Sequence, residues 1–183
     1  MTSDTRAQWR WLADTYWYVL PIDLPALNFD PDDAKLTWLI DQTVWHISGY
    51  ANGYFWGVAA VMMYTAGEPM PQRGPASRIA HLSLLGTVLP NGSVQITFIP
   101  HLRGTSGATT GFGKMVEIAG AWVVEMQMST DRLGTRVLHW ANMVQTREGD
   151  PSWQQLPGLN CSVPEMLEGA VYPQLAGDEP RRI

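Results

Sequence analysis

The sequence predicts a mainly β protein: an up-and-down antiparallel barrel, or a strongly curved sheet, of about seven or eight strands. Three observations predict it. Asn-Gly occurs twice between apolar runs, at Asn52-Gly53 and Asn91-Gly92. That pair is the strongest short hairpin signal, because a type I′ turn needs positive φ at both central residues. Seven aromatic or β-branched runs succeed one another between residues 43 and 145, with short links in most places. Helix signals are confined to the two ends of the chain. The competing architecture is an α+β cone, a curved sheet around a long helix, for which the first forty residues offer at most one good helix.

The elements follow in order. Asp4–Tyr18 reads as a helical N-terminal segment that gathers Trp9, Trp11 and Trp17 into an aromatic arm or lid. Thr43–Tyr50 and Tyr54–Tyr64 form the first hairpin, around Asn52-Gly53. Ala66–Ser77 contains three prolines and two glycines and reads as a surface loop within the body. Arg78–Leu89 and Ser93–Ile99 form the second hairpin. Gly104–Gly113 is glycine-rich and borders the barrel mouth. It lacks the Lys-Ser or Lys-Thr of a phosphate loop and opens no helix, so it is neither a P-loop nor a dinucleotide fingerprint. Thr109–Ile118, Ala121–Thr130 and Thr135–Gln145 supply three more strands, joined by a tight turn at Ala119-Gly120 and a loop at Asp131–Gly134. Ser162-Val163-Pro164-Glu165 is a helix start, with Pro in the first turn.

Charge divides this single domain into three stretches. Residues 1–41 carry ten charged side chains and 146–183 carry nine, while the 104 residues between, 42–145, carry only ten. The middle is therefore the expected barrel body, 1–41 the arm or lid, and 146–183 a C-terminal segment. With 45% hydrophobic and 16% charged residues, the chain is too apolar for disorder. A net charge of −5 argues against nucleic acid, whose phosphates need clustered Lys and Arg. No apolar stretch is long enough for a membrane helix, and Met1–Arg10 lacks a signal-peptide pattern. The single cysteine, Cys161, permits no intrachain disulfide. A cytoplasmic location is the expectation, and ten Arg against two Lys hint at a GC-rich bacterial genome.

Turn lengths set the register. A two-residue turn at Ala119-Gly120 sets Lys114 opposite Glu125 and Glu117 opposite Trp122. A four-residue loop at Asp131–Gly134 sets Met126 opposite His139. One face then carries Met115, Glu117, Trp122, Val124, Met126, Met128, Val137, His139, Ala141 and Met143. It is the more apolar face and is expected to point inward, whereas a one-residue slip would exchange the faces. Around Asn91-Gly92, Leu85 is expected opposite Phe98; around Asn52-Gly53, His46 opposite Ala59, with Trp45, Ile47, Trp56 and Val58 on the other face. Neither hairpin has a clean polar face, so both sides are expected to be at least half covered.

Ionisable groups on an apolar face are the chemical candidates. His139 is the first for acid–base work, since an imidazole titrates near neutrality; the competing reading is a core histidine satisfied by a backbone or tyrosine partner. Glu117, if inward beside Trp122, would have a raised pKa and a general acid–base role; the competing place is an exposed rim. His46, with small residues opposite, leaves room for a ligand. Glu125 with Lys114 reads as an outward ion pair. The four histidines lie more than 19 residues apart, without HxH, HxxxH or HExxH spacing, so no metal site is expected. No nucleophile elbow and no cofactor motif occurs.

Nine Trp and nine Met are the most unusual part of the composition. Both make large polarizable contacts, and aromatic rings stack on flat ligands. Core filling is the plainer alternative. The combined expectation is a cofactor-independent lyase, isomerase or cyclase acting on an aromatic or polyene small molecule inside the barrel. Trp122, Met126, Trp56, Tyr50, Met115 and Phe98 would line the pocket. The alternatives are a non-catalytic carrier of the same ligand class, or an interaction module buried in a homo-oligomer.

Overall fold

The computed structural model describes residues 5–70, 79–101, 107–132 and 134–176. Nine antiparallel strands form one sheet that closes on itself: β1 Thr15–Val19, β2 Pro25–Asp30, β3 Lys35–Ala51, β4 Tyr54–Thr65, β5 Ala80–Val88, β6 Ser93–Pro100, β7 Thr109–Ile118, β8 Ala121–Arg132 and β9 Thr135–Thr146. The β3-to-β9 meander supplies seven positions of the barrel. The eighth is shared, because β1 and β2 lie end to end between β3 and β9 and pair with both. Two short helices follow, α1 Pro151–Gln154 and α2 Val163–Leu167. The α2 start is the expected one: Ser162 and Glu165 cap each other's backbone N–H groups. No helix among the described residues is long and apolar enough to cross a membrane.

The N-terminal arm is shorter than expected. Of the expected helix Asp4–Tyr18, the helical part among the described residues is Thr5–Leu12, a 3-10 helix; a second 3-10 turn, Pro21–Asp23, links β1 and β2, and β1, β2 and the first part of β3 all fall within 1–41. Thr15–Val19 reads TYWYV, and such aromatic and β-branched runs fit a pleated surface better than a helix. The loop expected at Ala66–Ser77 lies largely outside the described residues, as does the first part of Gly104–Gly113.

Register explains which expectations hold. Ala119 (φ 52°) and Gly120 (φ 81°) make the tight turn, and Lys114 pairs with Glu125 and Glu117 with Trp122 as expected. Between β8 and β9, Arg132 pairs with Thr135, so two residues join them and Met126 faces Ala141, not His139. That slip is two residues, so the face assignment survives. At the second hairpin the slip is one residue. Leu84, not Leu85, faces Phe98. Pro90 suits the first corner of a type I turn, Asn91 does not take positive φ, and Gly92 (φ 84°) returns the chain as a bulge. At the first hairpin Asn52 (φ 51°) and Gly53 (φ 91°) form the expected turn, but a bulge between Ile47 and Gly49 shifts the pairing. His46 therefore faces Val58 and points outward, while Trp45 and Ile47 point inward.

Two apolar layers result. The inner one fills the barrel with Trp17, Trp45, Phe55, Leu84, Ile96, Phe98, Met126, Met143 and their neighbours. The outer one lies between the β3–β4 wall, through Val44, Val58, Ala60 and Met62, and the C-terminal segment, through Leu156, Leu159, Val163, Met166 and Leu167. This second layer is the cover that the two-sided hydrophobicity of the first hairpin required. Gln42 Oε1 accepts from the Gly158 N–H at 2.7 Å and Tyr64 Oη donates to the Gly158 carbonyl at 3.0 Å, which ties the segment to the wall.

Candidate functional site

Side chains occupy the barrel interior in which a ligand was expected. An eight-stranded barrel is just wide enough for its inward residues to fill it. Met126 lies against Gly111 and Gly113, and Phe55 against Gly86, so closely that a Cβ at any of these glycines would clash. Phe98 packs on Trp45 at a ring separation of 5.5 Å. Met126 and Phe98 are thus core residues. The buried Trp45 indole N–H has no hydrogen-bond partner among the described residues. Trp56 is not on the inner face: it alternates with the inward Phe55, shares the outer face of β4 with Val58, and lies over Gly49.

An open groove of about 330 Å3 lies at one end of the barrel, lined by Gln8, Trp9, Trp11, Pro90, Asn91, Met115 and Trp122. The 3-10 helix builds one side of it. Its Trp9 donates from Nε1 to the Leu89 carbonyl at 2.9 Å, Gln8 donates to the Pro90 carbonyl, and Tyr50 donates from its hydroxyl to the Arg6 carbonyl. Trp9 meets Trp122 edge-on at 5.2 Å, while Trp11 lies 5.9 Å from Trp122 and 6.2 Å from Trp17. Two expected ligand residues, Trp122 and Met115, do come together here. Tyr50 anchors the helix at this end. Glu117, the register partner of Trp122, is exposed on the rim. Its position next to the tight turn keeps it in water, away from the apolar surroundings expected for it.

The histidines fall into separate sites. His139 is buried in a notch of the wall where the shared strand is interrupted by Pro21–Asp23. Here residues 139–142 of β9 have no strand partner on that side. Asp23 fills the gap: its carboxylate accepts from the Asn142 backbone and side-chain N–H groups at 3.0 Å, and its carbonyl accepts from His139 Nε2 at 2.7 Å. His139 Nδ1 stands 3.0 Å from Asp41 Oδ2, off the line of a hydrogen bond, as a charge contact. Burial lowers the His139 pKa, but Asp41 and Asp23 together outweigh it and hold the pKa above the ordinary value. Both ring nitrogens face acceptors, so the imidazolium is the form that fits.

His46 lies on the outer wall. Its Nε2 is 3.1 Å from Asp14 Oδ1 and its Nδ1 is 2.9 Å from the Tyr172 hydroxyl. Tyr16 stacks on the ring at 4.0 Å and Trp153 closes on Tyr16 edge-on. Burial lowers the His46 pKa and Asp14 only partly offsets it. The neutral ring then donates from Nε2 to Asp14 and accepts at Nδ1 from Tyr172. Burial likewise raises the Tyr172 pKa, so the phenol stays protonated. Asp14 has φ 60°, an unusual backbone state for a residue other than glycine, which Asp tolerates better than most. The other two histidines are also engaged: His81 with the Met166 carbonyl and His101 with the Ser83 hydroxyl, each at 3.0 Å. Among the described residues no group of three or more His, Cys, Asp or Glu is arranged to hold a metal ion.

Sequence reasoning singled out His139, His46, Trp122 and Met115 but missed their partners Asp41, Asp23, Asp14, Tyr172 and Gln8. Asp14 and Asp41 each interrupt a largely apolar run of sequence, which was the available signal. Tyr172 lies 126 residues from His46, beyond any local pattern. Fold and groove together define a closed antiparallel barrel with an aromatic site at its end. No family model, no curated protein and no solved structure matches the chain.

Proposed function

We propose that the protein binds a small, flat, apolar molecule, aromatic or polyene, in the tryptophan groove and releases it unchanged. The observation that carries this is the groove's lining: three tryptophans and a methionine, two amide side chains, and, among the described residues, no ionisable group. Its size is within the range of small-molecule sites, roughly 300–1,000 Å3. Indole faces stack on flat ligands, and the Gln8 and Asn91 amides can orient a polar end. This is the carrier alternative, moved from the barrel interior to its mouth. The buried thiol of Cys161 suits a reducing, cytoplasmic setting.

Retinol and anilinonaphthalene sulfonate serve as probes. Each is expected to quench the intrinsic fluorescence saturably. Trp122→Ala is expected to weaken binding about ten-fold or more, in line with the ~1.5 kcal/mol that one aromatic contact supplies. Trp38→Phe, far from the groove, should change nothing. Equal binding by wild type and Trp122→Ala would overturn the reading, as would conversion of the probe.

A second reading keeps acid–base catalysis, at the outer wall. The Asp14–His46–Tyr172 chain orients a neutral imidazole between a carboxylate and a phenol, an arrangement suited to moving a proton. A lyase or isomerase activity abolished by both His46→Gln and Tyr172→Phe would support it; activity retained in either would exclude it.

A further inference from the structure

We propose that the bare wall formed by β2, β3, β7, β8 and β9 is a homodimer interface, in which this wall packs face to face on the same wall of a second copy.

The barrel's outer surface is unequally covered. The C-terminal segment buries the β3–β4 wall around Val44 and Val58. On the opposite wall the outward positions read, row by row, Phe112–Gln127–Trp140, then Ser129–Leu138–Leu27–Trp38, then Asp131–Arg136–Phe29–Leu36. Six large apolar side chains there, Phe29, Leu36, Trp38, Phe112, Leu138 and Trp140, are each 40% to 61% exposed. Isolated exposed hydrophobics are ordinary, but a continuous patch is not.

The area points to the occupant. Aromatic side chains present about 150–250 Å2 each, so four half-exposed rings and two leucines expose on the order of 600 Å2. With Gln127, Ser129 and Thr110 between and beside them, the face approaches the ~800 Å2 that each partner contributes to a standard interface. The charges fit a copy of the same wall better than a lipid surface. Its outward charged residues are Lys114 with Glu125 and Arg136 with Asp131, two of each sign, and Arg136 already binds Asp131 at 2.8 Å. An anionic membrane would select an excess of Lys and Arg, and the chain carries −5. A two-fold axis lying in the wall and crossing β9 at the Leu138 row sets Leu138 of each copy on Leu138 of the other and Arg136 on the other copy's Trp140. The two walls then pack as two sheets do, about 10 Å apart.

Sedimentation equilibrium of the full chain at 1, 10 and 100 µM tests this. The expected result is a species of twice the 20.4 kDa chain mass at the two higher concentrations. The double substitution Trp38→Glu with Trp140→Glu should raise the dimer dissociation constant at least 100-fold with an unchanged far-ultraviolet spectrum. Phe112→Lys, at the wall's edge, should raise it about ten-fold and stands in if the double variant does not fold. Leu85→Glu, exposed on β5, should leave it unchanged. A monomer at 100 µM overturns the proposal. So does a dimer that survives both wall variants, or one that Leu85→Glu dissociates. Binding of the monomer to phosphatidylcholine–phosphatidylglycerol vesicles, lost in the wall variants, would assign the wall to lipid and equally overturn it.

Discussion

The His139 notch and the His46 pocket contain the same pair of groups, an imidazole about 3 Å from an aspartate, yet their pKa values move in opposite directions. Two differences decide the sign. At His139 the second nitrogen meets a carbonyl, which can only accept, so both nitrogens call for protons. At His46 it meets the Tyr172 hydroxyl, which can donate, so one proton suffices. The carboxylates also differ: the Asp41 side chain is 9% exposed, whereas that of Asp14 is 85% exposed and screened by water. Proximity of an acid to a histidine is therefore a poor guide to its charge. The remaining hydrogen-bond partner and the solvent decide it.

The sharpest way to break this comparison is Asp41→Ala. It leaves a buried imidazolium without its counter-ion, and the expected loss is about 3–5 kcal/mol of unfolding free energy, read from urea denaturation at pH 6. A loss below 1 kcal/mol would mean that the ring is neutral in the folded state.

The pH dependence follows from the two shifts. His139 has a raised folded pKa, so its contribution is fully present below the unfolded value near 6.5 and fades as pH rises through the folded value. His46 has a lowered one, so its contribution is present above about 6.5 and is lost as pH falls through the folded value. Urea midpoints measured across pH 4.5–9 should fall on both sides. His139→Gln should flatten the alkaline side alone and His46→Gln should diminish the acid-side fall. If His46→Gln acted on the alkaline side instead, the assignment of a neutral His46 ring would be wrong.

Smaller effects separate the two sites further. Tyr172→Phe removes one donated hydrogen bond and should cost about 1 kcal/mol, with the His46 imidazole resonances shifted in the NMR spectrum. Asp14→Asn keeps a side chain that tolerates positive φ and should cost at most about 1 kcal/mol, the scale of an exposed ion pair. A larger cost than that of Tyr172→Phe would mean that Asp14 acts through the backbone turn, not through its charge.

The three-strand run β7–β9 was the most legible part of the fold. Its faces alternate cleanly, Met115, Val124, Met126 and Met143 are buried as a set, and even a loop misjudged by two residues left them on the right side. The first hairpin was less legible because the bulge near Ser48 leaves no mark in composition, yet it moves His46 to the outer face and parts Trp45 and Ile47, which point inward, from Trp56 and Val58, which point outward. The aromatic arm was recognised, but only Trp9 and Trp11 stay in it, since Trp17 belongs to β1. The groove was half legible: Trp122 and Met115 share a face, whereas Gln8 and Asn91 reach it only once the 3-10 helix folds over the barrel end.

Alternation with period two is a local property, so strand positions, turn sites and the inward set of β7–β9 could be read from neighbouring residues alone. Three things needed the folded chain: the closure that makes β1 and β2 share one position, the notch that closure opens at His139, and the choice of wall that the C-terminal segment covers. Each depends on contacts between residues far apart in sequence, such as Asp23 with His139 and Gln42 with Gly158. An apolar outward residue looks the same in the sequence whether another segment covers it, as at Val58, or leaves it bare, as at Trp140. Only packing distinguishes the two.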